Sequence, residues 1–138
     1  MTDLGTLGGD WGDGYAINSQ TQIVGQSATA SGDPHAFLWD KGVLTDLGVP
    51  DGDNQSAAVG INNKGQIVGY SFAVDNFTNL PSHALLWENG QMIDLQTCIP
   101  ANSGWTLLAA SGINDRGQIV GVGIDPDGLY RNFVLTPH

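Results

Sequence analysis

Ile61-Asn62-Asn63-Lys64-Gly65-Gln66-Ile67-Val68-Gly69 occurs three times in this chain with small changes. Ile17-Asn18-Ser19-Gln20-Thr21-Gln22-Ile23-Val24-Gly25 precedes it by 44 residues, and Ile113-Asn114-Asp115-Arg116-Gly117-Gln118-Ile119-Val120-Gly121 follows it by 52. A repeat at this period is the signature of stacked supersecondary units, none of which buries its apolar face alone.

Working outward from each copy, four short apolar runs separated by turn signals read as strands A to D. The middle repeat places A at Ser56 to Asn62, B at Gln66 to Phe72, C at His83 to Glu88 and D at Gln91 to Leu95. Asn63-Lys64-Gly65 and Asn89-Gly90 are hairpin signals, because Asn and Gly accept the positive φ of tight turns. The first repeat places A at Tyr15 to Asn18, B at Gln22 to Ser27, C at His35 to Asp40 and D at Val43 to Leu47. The third has A at Ala109 to Asn114, B at Gln118 to Ile124 and C at Arg131 to Thr136, with no D strand after it. Met1-Thr2-Asp3-Leu4-Gly5 matches Leu44-Thr45-Asp46-Leu47-Gly48 and supplies a D strand at the other end.

The expected fold is all-β: one repeat domain over 1–138, with blade 1 at about 11–47, blade 2 at about 55–95 and blade 3 at about 108–136 completed by strand 1–7. Four antiparallel strands per repeat suit a β-propeller blade, and propellers have about four to eight blades. Three blades per chain then imply a homodimer closing a six-bladed ring, with the Met1 strand latching its own third blade or its neighbour's. A β-trefoil and a piece of a larger propeller are the alternatives.

At 138 residues the chain buries roughly 70% of its unfolded surface in a real core. Its 20 glycines are about double the usual share and its 13% charged residues about half, which suits short strands and tight turns. Fourteen acids against four bases give a formal charge of −10, which argues against nucleic acid as a partner. Cys98 is the single cysteine, so no intrachain disulfide or cysteine zinc cluster forms, and it reads as a small buried apolar residue. No apolar run reaches transmembrane length, and Met1 opens directly into repeat sequence, so neither a membrane span nor a signal peptide is expected in these residues.

His35-Ala36-Phe37-Leu38-Trp39, followed by Leu44-Thr45-Asp46-Leu47-Gly48 and by Ile61-Asn62 with Gly65-Gln66-Ile67-Val68-Gly69, resembles the HAF-repeat family of extracellular bacterial proteins. Met1 to Gly9 and Arg131 to Pro137 resemble the same family, so the likeness covers nearly the whole chain. The resemblance implies secretion and a propeller-like array, usually of more than three repeats. It brings no catalytic residues. Leu85 stands where the Phe is expected, and the third copy reads Arg131-Asn132-Phe133, leaving His35 and His83 without a third counterpart.

Recurring positions read as framework. Phe37, Leu38, Trp39, Leu85, Leu86, Trp87, Phe133 and Leu135 are expected between sheets, with the Ile-Val pairs of strand B. Gly25, Gly69 and Gly121 admit another backbone, Asp3, Asp46 and Asp94 accept turn hydrogen bonds, and His35 and His83 are hydrogen-bonded framework. Function is expected in the B to C and D to A loops, which vary in length and share one face. Asp10, Asp13, Asp33, Asp51, Asp53, Asp75, Asp125 and Asp127 concentrate charge there; Asp40, Glu88 and Asp115 on the opposite face are balanced by Lys41, Lys64 and Arg116. Trp11 and Trp105 add flat apolar surfaces suited to sugars or proteins. The candidate ligand-binding residues are Asp10, Trp11, Asp51, Asp53, Asn54, Trp105, Asp125 and Asp127.

No cofactor is expected. Ca2+ is an alternative at Asp51-Gly52-Asp53-Asn54 and Asp125-Pro126-Asp127-Gly128, although neither run completes an EF-hand and Asp favours turns for backbone reasons. No nucleophile elbow, phosphate loop or zinc-protease helix is present. These readings point to a non-enzymatic extracellular binding or scaffold module that recognises a carbohydrate or protein. A purely structural self-assembling unit and a glycosidase-like enzyme using loop carboxylates are the alternatives.

Overall fold

The computed structural model describes residues 1–74 and 83–137, and these form eleven strands and one 3-10 turn. Sheet I contains β1 (Gly8–Ile17), β2 (Ile23–Thr29), β3 (Pro34–Asp40) and β4 (Val43–Gly48). Sheet II contains β5 (Gln55–Ile61), β6 (Ile67–Phe72), β7 (His83–Glu88) and β8 (Gln91–Asp94). The 3-10 turn Leu95–Cys98 leads to sheet III, which contains β9 (Thr106–Ile113), β10 (Ile119–Ile124) and β11 (Tyr130–Leu135). Every sheet is antiparallel with its strands in sequence order, as the A to D reading requires. Among the described residues no sheet closes into a barrel. No described helix is long and apolar enough to cross a membrane.

Turn chemistry fixes the hairpins. Lys41-Gly42 and Asn89-Gly90 hold positive φ at both central positions, which matches the twist of the flanking strands. The longer turns after β1, β5 and β9 are each organised by one Asn. Asn62 Oδ1 accepts from the amides of Lys64 and Gln66 at 3.0 and 2.9 Å, and Asn18 and Asn114 do the same in their turns. The residue closing this turn has left-handed φ; it is Gly65 and Gly117 in two copies and Thr21, at 61°, in the other.

Two cores lie between consecutive sheets. Val24 and Ala36 of sheet I meet Ala58, Ile67, Leu85 and Trp87 of sheet II, with Leu38, Leu47 and Ile61 packed around them. Val68, Ala84 and Leu86 of sheet II, with Leu95, meet Leu107, Ala110 and Ile119 of sheet III. Phe133 and Leu135 join this second core, so Leu38, Leu85, Leu86, Trp87, Phe133 and Leu135 line the sheet contacts as expected, whereas Phe37 and Trp39 belong to neither core. A Cβ on Gly25, Gly69 or Gly121 would run into the carbonyl oxygen of Asp13, Ala57 or Ala109, which explains the recurring glycine.

Polar bonds tie the sheets as well. The fully buried Ser56 Oγ donates to the Gly48 carbonyl at 2.7 Å and accepts from the Ala36 amide at 2.8 Å. Trp87 Nε1 donates to the Leu47 carbonyl at 3.2 Å. The Asn turns stack: Asn18 Nδ2 donates to the Asn62 carbonyl at 3.0 Å, and Asn62 Nδ2 donates to the Asn114 carbonyl at 2.9 Å. Beside them the Ser19 amide donates to Asn63 Oδ1, and the Asn63 amide donates to Asp115 Oδ1, both at 2.8 Å.

Three expectations change. Strand A of the first repeat starts at Gly8 rather than Tyr15, because Gly8 and Gly9 lie against Ala30 and Ala28 where a side chain has no room. Asp10, Trp11 and Asp13 therefore sit on a strand, not in a loop. Cys98 is exposed, because its 3-10 turn buries only Leu95. Residues 1–6 form no strand: Leu7 bridges Thr29, and among the described residues sheet III has three strands, so strand 1–7 is not paired with it within one chain. Asp75 and most of the Ala73 to Ser82 loop lie outside the described residues.

Candidate functional site

The densest set of chemistry-bearing side chains lies where β6 and β7 meet the turn before β5. Asp53 Oδ2 accepts from Ser71 Oγ at 2.5 Å and pairs with His83 Nδ1 at 2.7 Å. On its other side His83 Nε2 stands 3.7 Å from Asp94 Oδ2. The His83 ring is thus bracketed by two carboxylates, one from the turn and one from β8. In sheet I, His35 Nδ1 lies 3.0 Å from both oxygens of Asp46 on β4.

Ser71, His83 and Asp53 are the residue types of a nucleophilic triad, but the connections are those of a clamp. Nucleophile activation needs the imidazole to take the serine proton while the carboxylate orients its far nitrogen. Here the Ser71 proton goes to Asp53, and the same Asp53 oxygen holds the near nitrogen of His83. Ser71 has no solvent exposure, so a substrate carbonyl has no approach to it. This cluster joins the turn before β5 to β6, β7 and β8.

The recurring Asp residues perform one local task. Asp3, Asp46 and Asp94 Oδ1 accept from the amides of Gly5, Gly48 and Gln96, at 2.9, 2.7 and 3.0 Å. This is the turn hydrogen bond expected of them.

The eight candidate ligand residues occupy separate places. Asp10 and the 39% exposed Trp11 line a shallow depression on the edge of sheet I with Gly8, Gly9, Ser31 and Gly32. Trp105 is half-buried against the core between sheets II and III, beside Ile99 and Phe133 in another depression. Asp51 is exposed in the turn that the Asp53 amide closes on the Pro50 carbonyl. Asn54 Oδ1 accepts from the Val74 amide at 2.9 Å. Asp125 Oδ1 accepts from the amides of Asp127 and Leu129 at 2.9 and 3.0 Å, and its Oδ2 lies 3.4 Å from Arg131 Nε; Asp127 itself is exposed. Asp53 and Asn54 are thus committed to bonds between elements and Asp125 to its own turn, and among the described residues no group of three or more His, Cys, Asp or Glu converges as metal ligands. Asp10 and Trp11 are the two that share a surface open to a ligand.

Two polar systems escaped the sequence reading. The His83 clamp joins residues 30 positions apart, although the joint recurrence of His at the head of strand C and Asp in strand D was its signal. The Asn18, Asn62 and Asn114 stack was visible only as a hairpin motif. Its partner Asp115 has a carboxyl held below the ordinary carboxylate range, first by the Asn63 amide, then by the Asn63 side chain and the Lys64 charge. Tyr15 on β1 has its phenol pushed up by partial burial, with Asp13 and Tyr70 adding to the shift.

No family model, curated protein or solved structure matches the chain.

Proposed function

We propose that this chain is a non-enzymatic scaffold module that works by self-assembly, two copies stacking sheet III on sheet I to close a six-sheet propeller ring. One observation carries the reading: several repeat positions are buried where a neighbouring sheet exists and exposed where it does not, although Phe37 on the outer face of sheet I stays buried. Val24 and Val68 are fully buried under the next sheet, whereas Val120 at the same position is 48% exposed. Leu86 is 9% exposed and its counterpart Val134 is 60% exposed. On the opposite face Ile61 and Ile113 pack into the two cores, whereas Ile17 is 62% exposed. The bare face of sheet III and the bare face of sheet I are therefore the two halves of an interface that the molecule already builds twice. Covering such aliphatic side chains contributes roughly 1 to 2 kcal/mol each, given their partial exposure.

The resemblance to the HAF-repeat family supports an extracellular setting for such an assembly. Light scattering on a size-exclusion column tests the reading against the 14.5 kDa chain mass. A dimer that becomes a folded monomer in Val120→Asp/Val134→Asp is the expected result; a monomer at all accessible concentrations overturns it.

A second reading, recognition of a carbohydrate or protein, is favoured at the Asp10 and Trp11 depression alone. Asp10 and Trp11, with glycine backbone around them, supply the hydrogen-bonding and stacking groups that suit a sugar ring. Glycan-array binding that disappears in Trp11→Ala, with the fold intact, is the expected signature.

A further inference from the structure

We infer that Met1 to Leu4 is the fourth strand of sheet III in a second copy of this chain, so that the copies are joined by exchanged strands as well as by packed faces. The inference rests on the assembly reading above, but different atoms carry it.

The N-terminal segment already has the shape of a strand end. Gly5 has φ of 82° and Gly48, at the end of β4, has φ of 80°. The Asp3 to Gly5 hydrogen bond repeats the Asp46 to Gly48 bond. Its position repeats as well. In sheet II the Gly48 carbonyl, from the preceding sheet, lies over Ser56 on β5 and accepts from its hydroxyl. In sheet I the residue at the Ser56 position is Gly12, and a Cβ there would lie 3.6 Å from the Gly5 carbonyl oxygen. Met1 to Gly5 therefore stands to sheet I as the end of β4 stands to sheet II: it is the last strand of a preceding sheet whose other strands this copy does not place there.

Sheet III has the complementary gap. Among the described residues β11 pairs only with β10, leaving a row of backbone donors and acceptors open along its outer edge. In sheet I the corresponding edge is filled with the pairs Trp39 to Leu44, Leu38 to Thr45 and Phe37 to Asp46; in sheet II with Trp87 to Met92, Leu86 to Ile93 and Leu85 to Asp94. Carrying that register over places Met1 opposite Leu135, Thr2 opposite Val134 and Asp3 opposite Phe133 of the second copy. Strand addition to an open edge supplies main-chain bonds for affinity and alternate side chains for register.

The test mixes two single-cysteine variants, Thr2→Cys and Val134→Cys, each with exposed Cys98→Ala, under mild oxidation. Only an intermolecular disulfide forms in such a mixture; both sites are exposed in a single copy, and cysteine keeps a small apolar side chain where Val134 meets the second copy. The control pairs Thr2→Cys with Val43→Cys, whose site on β4 is equally open. The expected result is a covalent dimer bridged between positions 2 and 134, formed about tenfold or more above the control because strand pairing raises the local thiol concentration toward millimolar. A dimeric mass without this preferential bridge overturns the strand exchange and leaves the assembly reading standing. A monomeric mass overturns both, and an intramolecular bridge in the double variant Thr2→Cys/Val134→Cys overturns exchange in favour of closure within one chain.

Discussion

Single residues show how closely the three repeats are held to one geometry. Thr21 closes its turn at a φ of 61°, which a β-branched residue enters only under strain, while its counterparts are Gly65 and Gly117. Thr21→Gly is expected to stabilise the chain by about 1 kcal/mol, read as a raised midpoint in urea. Gly69→Ala is expected to do the opposite, by roughly 2 to 3 kcal/mol, because the new methyl meets the Ala57 carbonyl, which is tied into the ladder. Asp115 gives the chain an acid dependence. Its carboxyl titrates below the ordinary range through its bonds to Asn63, so the stability it contributes is complete above the unfolded value. That contribution is lost as pH falls through the depressed folded value. Thermal melting from pH 6 to about pH 3 is expected to fall more steeply in wild type than in Asp115→Ala, once the loss common to other carboxylates is subtracted.

At the scale of the elements, the Asn turns distinguish a position inside the stack from one at its end. Asn62 is almost fully buried, orders its own turn and donates to the Asn114 carbonyl. Asn62→Ala strips partners from buried groups and is expected to cost about 2 to 3 kcal/mol. Asn114 orders only an exposed turn in the isolated chain, so Asn114→Ala is expected to cost about 1 kcal/mol or less, both read by urea denaturation. Strand pairing within each repeat was legible because Asn89-Gly90 and Asn63-Lys64-Gly65 are local instructions that require nothing from the rest of the fold. β1 was read seven residues short, since Gly8 to Gly14 has the composition of a loop and becomes a strand only because the Ala28 surface needs flat backbone against it. The binding loops were over-read for the converse reason. Asp53 and Asp125 look like free carboxylates in the sequence, and their partners His83 and Arg131 become visible only when other elements fold back on them.

The whole molecule combines a formal charge of −10 with two bare apolar sheet faces. Apolar burial favours association and like charge opposes it, so the balance depends on screening. Raising ionic strength from about 0.01 to 0.15 M shortens the Debye length from about 30 to 8 Å. The proposed dimer is therefore expected to tighten with added salt, read as a falling dissociation constant in sedimentation equilibrium; a constant that rises with salt overturns apolar stacking as the driving force. One further property follows from the stack of Asn turns, which has a direction. Each turn is a donor toward the repeat that follows and an acceptor toward the repeat before it. Among the described residues, Asn114 Nδ2 at one end donates only within its own turn, to Gln118, and the Asn18 carbonyl at the other accepts only within its own turn, from the Thr21 amide. Two like ends facing each other would set donor against donor, so in the proposed assembly the polarity of the stack favours head-to-tail contact. A polar series has only two fates: it runs on as a filament, or it curves until its last member meets its first.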